Sequence, residues 1–136
     1  GILPPVLVRY KFNLPPEDMH NALYFANLFI GEGATMASEC AMLGTPAIYV
    51  NSIEAGSINE QEKLGLLFHY RDSEGVLEKV LDLVSALNFK EEFVNRRNVM
   101  LNDKIDVTAF LVWFIENYPQ SFKIMKENPD YQLRYK

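Results

Sequence analysis

The residues best suited to chemistry fall close together: Gly31, Glu32, Gly33, Ala34, Thr35 and Glu39. Two glycines bracket a carboxylate between the apolar run Leu28-Phe29-Ile30 and a run of small residues able to form a helix. If a strand ends and a helix opens here, the amides near Ala34 and Thr35 belong to an unpaired first turn. Those N–H groups and the helix dipole favour an anion. Glycine at 31 and 33 is expected to supply backbone conformations closed to other residues and to leave room for a ligand. Thr35 adds a hydroxyl, and Glu39 lies one turn later on the same helix face. The step from Ala34 to Glu39 is about 7.5 Å of helical rise. That matches the distance between a nucleotide's terminal phosphate and its ribose hydroxyls, for which a carboxylate is an apt acceptor. The spacing therefore suits a nucleoside diphosphate. It is neither the G-x-G-x-x-G dinucleotide fingerprint nor a P-loop. A tight strand-to-helix connection without a ligand has the same local features.

Other residues carry weaker signals. Glu32 and His20 are candidates for acid–base work, although a solvated turn residue and a surface histidine are the commoner roles. Arg71 and Lys63 are cations that can neutralise a diphosphate or simply face solvent. His69 sits in an apolar run, as a packed or edge residue does. Cys40 has no activating neighbour in sequence and is expected to be a buried structural thiol. Phe110, Trp113 and Phe114 read most simply as core or, if the chain is truncated, as a cluster exposed in part and able to drive self-association. No metal-ligand set and no cofactor motif is present in the sequence.

The elements that must position these residues alternate. Residues 6–12, VLVRYKF, mix apolar and polar positions as an extended edge segment does. Pro16 opens a helix whose apolar face is Met19, Ala22, Leu23 and Ala26. LFI and AIYV are short apolar strands on either side of the helix 34–43, with Gly44 at its C-cap and Pro46 beyond. Residues 51–59 read as a polar loop, EQEKLGLL as a short helix and LFHY as a doubtful fourth strand. Asp72 or Ser73 is expected to cap a helix whose apolar stripe is Val76, Leu77, Val80, Leu81, Val84 and Leu87. A charged helix over 90–101 and an apolar helix over 106–118 follow, the latter expected to be well buried. Beyond Pro119 the chain is a polar, somewhat basic tail.

This alternation predicts an α/β fold, a three-layer Rossmann-like domain with a small parallel sheet over 1–118, followed by a C-terminal helix or tail over 119–136. The low strand count means either that the sheet is simply small or, as expected here, that it is incomplete at its N-terminal side, its first strands lying in a missing N-terminal part of a larger protein.

The 136 residues are 49% hydrophobic and carry a formal net charge of -5. That is the composition of a globular protein, and the acidity without a basic run argues against a nucleic-acid partner. The single cysteine excludes an internal disulfide and a Cys-rich zinc site, and suggests a reducing, cytoplasmic setting. No apolar run is long enough to span a bilayer. Homo-oligomerisation through an unpaired sheet edge is compatible with the pattern.

Residues 24–50, YFANLFIGEGATMASECAMLGTPAIYV, resemble the pattern ADLxIxxxGxxxxxEAxxLGxPxIxV around the nucleotide-sugar site in the second domain of GT-B-fold proteins. They are similar to non-hydrolysing UDP-N-acetylglucosamine 2-epimerases and to the N-acetylglucosaminyltransferase of peptidoglycan synthesis. The resemblance is strongest to an uncharacterised family of GT-B-like proteins in which the turn reads IGEGATM. It is dense over 15–50 and looser through Gly65-Leu66-Leu67, the helix near 76–87 and Asp106-Val107-Thr108. It implies that Glu39 binds ribose and that Gly33, Ala34 and Thr35 hold the diphosphate of a UDP-sugar. It further implies that an amide near Asn59 to Gln61, represented here by Gln61, contacts the donor sugar. The Ser-Gly-Gly of several epimerases is Gly-Ala-Thr here, so backbone amides would carry the phosphate contact. The implied function is that of the nucleotide-sugar-binding half of a glycosyltransferase or epimerase, inactive alone because the site is shared with a second domain. The alternative is a non-catalytic interaction module that keeps the fold.

Overall fold

The computed structural model describes residues 3–136. Three strands, β1 (Phe29–Gly31), β2 (Ala47–Val50) and β3 (Leu67–Tyr70), form one parallel sheet in the order β1-β2-β3. Phe29 lies opposite Ala47, and Ala47 opposite Leu67. All three expected apolar runs are strands, including the doubtful LFHY.

Helices α1 (Met19–Phe25), α2 (Ala34–Leu43) and α3 (Gly56–Lys63) pack on one face of this sheet. Parallel neighbours joined by crossovers of the same hand require this arrangement. Leu23, Ala37, Cys40, Ala41 and Ile58 close over Ala47, Tyr49 and Leu67, and Met100 of α5 (Phe89–Asp103) completes the layer. On the other face, Leu83 of α4 (Val76–Ser85) and Phe93 of α5 cover Ile48, with Val76, Val80 and Phe89 beside them. The chain is thus α/β, with helices on both faces of a small open parallel sheet.

Local chemistry explains the boundaries. Gly44 ends α2 in the left-handed region at φ 77°, and Thr45 N donates to Cys40 O over 2.8 Å. Asp106 caps α6 (Val107–Glu116) by accepting from Ala109 N at 2.9 Å. In α1, Met19, Ala22 and Ala26 are half-buried around the buried Leu23, as their spacing predicts.

Several expectations fail for identifiable reasons. Residues 6–12 are not an extended edge: Pro5–Tyr10 is a 3-10 helix with no buried residue, its start fixed by Pro4 and Pro5. The loop expected over 51–59 ends early, because α3 begins at Gly56, and glycine and serine are tolerated at a helix start. Neither Asp72 nor Ser73 caps α4. Its N-cap is Gly75 at φ 75°, and Asp72 instead accepts from Glu74 N within the preceding turn. Only part of the α4 stripe faces inward. Val76 and Val80 are half-buried and Leu83 is buried, whereas Leu77, Leu81, Val84 and Leu87 are exposed. A three-stranded sheet is about 10 Å wide, roughly one helix diameter, so it offers α4 a narrow contact.

The apolar α6 contains no buried residue. It packs with α7 (Gln120–Glu127) and the 3-10 segment Pro129–Tyr135, so the expected tail is helical. Phe110, Trp113 and Phe114 are not part of the sheet core. They form a half-exposed aromatic cluster in which Trp113 stacks on Tyr131 with centroids 4.7 Å apart. Among the described residues no helix is long and apolar enough to cross a membrane.

Candidate functional site

The carboxyl ends of β1 and β2 run into the first turns of α2 and α3. Neither helix has a side-chain N-cap, and neither has an acidic residue in its first turn. In α2 the cap residue Gly33 accepts from Ala37 N at 3.1 Å, so the amides of Ala34, Thr35 and Met36 lie before the first intrahelical bond. In α3 the corresponding bond runs from Asn59 N to Ala55 O at 3.1 Å. The uncapped positive ends of two neighbouring helices therefore face the same end of the sheet.

The glycines flanking Glu32 do not have the expected backbone role. Gly33 has φ -89°, and among the described residues the positive-φ glycines are Gly44, Gly65 and Gly75. At Gly31 the reason for glycine is packing: a Cβ would meet Cζ of Phe29 at 2.7 Å. At Gly33 a Cβ would meet nothing within 4 Å. Its side of the chain is open, so the room expected for an approaching group is present although the unusual conformation is not.

Beside this turn, along α2, lies an open cavity of about 440 Å³ lined by His20, Thr35, Ser38, Glu39, Met42, Leu43 and Gln61. Thr35 and Glu39 share a helix face as their spacing requires. Gln61 of α3 joins them, only 7% exposed, accepting from Ser38 Oγ at 2.7 Å and donating to Ser38 O at 3.4 Å. His20 of α1 places Nε2 3.6 Å from Oε2 of Glu39, and both side chains are solvent-accessible. The two ionisable groups of the cavity thus face each other across its mouth. Gly31, Gly33 and Ala34 form the adjoining turn rather than the cavity wall. Glu32 is exposed, and its carbonyl accepts from Asn51 Nδ2 at 3.1 Å.

Behind Glu39, Cys40 is fully buried, and its thiol is pushed up to about 12, first by burial and then by the nearby Glu39 carboxylate. It is an inert packing residue. Arg71 is ion-paired with Glu54. His69 lies on the edge strand with Nε2 2.7 Å from Asn51 O, and because a carbonyl only accepts, Nε2 carries the proton. Among the described residues no group of His, Cys, Asp and Glu side chains could hold a metal ion.

Two participants escaped sequence reasoning. Ser38 is the partner that satisfies the buried Gln61; its only advance signal is its position next to Glu39. Asn51 directly follows β2, where a side-chain amide can reach the neighbouring loops.

A cavity with one carboxylate, one imidazole, hydroxyls and an amide, beside two uncapped helix ends, can hold a polyhydroxylated ring and an attached anion. No protein-family model, no curated protein and no solved structure matches the chain.

Proposed function

We propose that this chain is the nucleotide-sugar-binding half of a GT-B-like glycosyltransferase or epimerase, with a UDP-sugar as its ligand. The observation that carries the reading is the alignment of three features on α2: the uncapped first turn, Thr35, and Glu39 in the cavity wall. The diphosphate lies against the amides of Gly33, Ala34 and Thr35. The ribose hydroxyls donate to Glu39, and Gln61 lies on the α3 side of the same cavity. The likeness of residues 24–50 to GT-B proteins supports the same assignment. In a reaction at the anomeric C–O bond, the turn amides would stabilise charge on the leaving diphosphate. A second domain would supply the opposite wall of the cleft and the acceptor.

A second reading is favoured by one observation. The α6 residues Val107, Leu111 and Ile115 are 56%, 48% and 71% exposed and form an apolar stripe left largely uncovered among the described residues. A non-catalytic interaction module would keep such a surface for a protein partner.

Titration with UDP and UDP-N-acetylglucosamine, followed by thermal shift and backbone NMR, separates the two. Ligand at one hundred times its dissociation constant stabilises the native state by about 2.7 kcal/mol. Shifts centred on residues 31–39 that vanish in Glu39→Ala support the nucleotide-sugar site. No response at millimolar ligand, in this chain and in a longer protein carrying a second domain, removes it.

A further inference from the structure

We propose that Asn51 is the positioning residue of this site, holding the β1–α2 turn in register with the loop that follows β2 and with the end of β3. The proposal rests on the nucleotide-sugar reading above, and it assigns a role to a residue outside the cavity.

Asn51 is the first residue after β2, and all four of its polar groups are engaged. Its Nδ2 donates to Glu32 O at 3.1 Å, inside the Gly31–Gly33 turn. Its Oδ1 accepts from Ile53 N at 3.0 Å, shaping the loop that leads into α3. Its backbone N donates to Tyr70 O at 2.9 Å, and its backbone O accepts from His69 Nε2 at 2.7 Å. One residue therefore ties together the turn after β1, the loop after β2 and the end of β3.

The surroundings fix Asn51 in turn. The His69 ring packs against Tyr49 with centroids 4.9 Å apart, and the buried Tyr49 sends its hydroxyl to Ile53 O at 3.0 Å. The backbone N of His69 is held by Glu62 Oε1 at 3.0 Å. The carboxamide thus bridges the loop after β2 and the open turn, while the Asn51 backbone is held by β3. The turn needs such support. Among the described residues, nothing touches the Cβ side of Gly33 and no side chain caps α2. The carbonyl of Glu32 is the point where the core reaches the turn. Aligned amides bind an anion strongly only when their directions are set beforehand.

The role predicts a split that a general loss of stability would not give. Asn51→Ala removes both side-chain links. It should weaken UDP about tenfold, the value of roughly one well-placed hydrogen bond. It should leave uridine, which lacks phosphate and depends on Glu39, unchanged. Asn51→Asp keeps the acceptor for Ile53 N and loses the donor to Glu32 O, so it isolates the link to the turn. In the free protein, both variants should change the amide shifts and speed the hydrogen exchange of residues 33–35, with the shifts of α4 unmoved.

Unchanged amides in both variants would overturn the proposal whether or not any ligand binds. So would equal losses for UDP and uridine, or a UDP affinity in Asn51→Ala equal to that of the unsubstituted chain. If the amides respond but neither the unsubstituted chain nor a longer protein carrying a second domain binds UDP or uridine, the nucleotide-sugar reading fails and the positioning role falls with it. Perturbed turn amides together with a selective loss of UDP would support both.

Discussion

The two ends of the parallel sheet are built in opposite ways. At the amino ends of the strands, where α1, α2 and α3 finish, cations on α5 meet the helix carbonyls. Lys90 Nζ donates to Tyr24 O at 2.6 Å and to Ala26 O at 2.8 Å. Arg97 donates to Leu43 O at 3.2 Å, and Arg96 to Gly65 O at 2.6 Å. The buried Thr45 adds a bond to Leu23 O at 2.9 Å. The negative ends of three helices are thus satisfied by side chains of matching charge or by a hydroxyl. At the carboxyl ends of the strands, α2 and α3 start with no side-chain cap. One end is closed by the protein's own groups. The other leaves its N–H groups and its dipoles to whatever arrives. Stability should therefore be concentrated at the first end and binding at the second.

The largest expected effect tests the closed end. Lys90→Met keeps the aliphatic stem and removes the ammonium that serves two carbonyls. Hydrogen bonds to charged groups contribute about 1.5–3 kcal/mol, and the half-buried Lys90 should cost about 2 kcal/mol when replaced. Urea denaturation measures this directly. A loss below about 0.5 kcal/mol, the range of an ordinary surface substitution, would show that the cations decorate the helix ends rather than secure them.

Gly44→Ala should come next, at about 1–2 kcal/mol. Gly44 has φ 77°, and an added Cβ would lie 3.0 Å from Cγ2 and 3.2 Å from Cα of Val94 on α5. The conformational cost and the contact with α5 act together at the same closed end. A thermal midpoint equal to that of the unsubstituted chain would mean that α5 sits more loosely against α2 than its hydrogen bonds indicate.

The sequence made the central αβ unit legible because its signals are local. The Gly44 cap, Pro46 and the apolar runs 28–30, 47–50 and 67–70 each carry their meaning within a few residues. The Thr35–Glu39 spacing likewise survives, because helical geometry fixes it. What depended on distant partners was not legible. The α6 sequence is apolar on most sides, and whether such a helix is buried depends on what packs against it. The α4 stripe was read too wide because the width of the sheet is not written in α4. The capping cations Lys90, Arg96 and Arg97 looked like ordinary charges of a polar helix; only the fold brings them to three helix ends. Of the two reasons expected for glycine at 33, an unusual backbone and room for a ligand, only the room is present.

That space allows the smallest and most discriminating substitution. Gly33→Asp places a carboxylate at the N-cap of α2, where a Cβ would meet nothing within 4 Å and φ is -89°. Aspartate is the better cap by a few tenths of a kcal/mol, and its charge opposes the helix dipole for roughly 0.3–1 kcal/mol more. The chain should become more stable by about 0.5–1 kcal/mol while losing affinity for UDP, because the new carboxylate occupies the amides and repels the diphosphate. A substitution that stabilises the fold and weakens the ligand is the signature of an end left open for binding. If Gly33→Asp lowers stability, the first turn of α2 is already satisfied by a group that a carboxylate displaces. If it raises stability and leaves UDP affinity intact, the anion sits elsewhere, and the uncapped start of α3 at Gly56 becomes the next place to substitute.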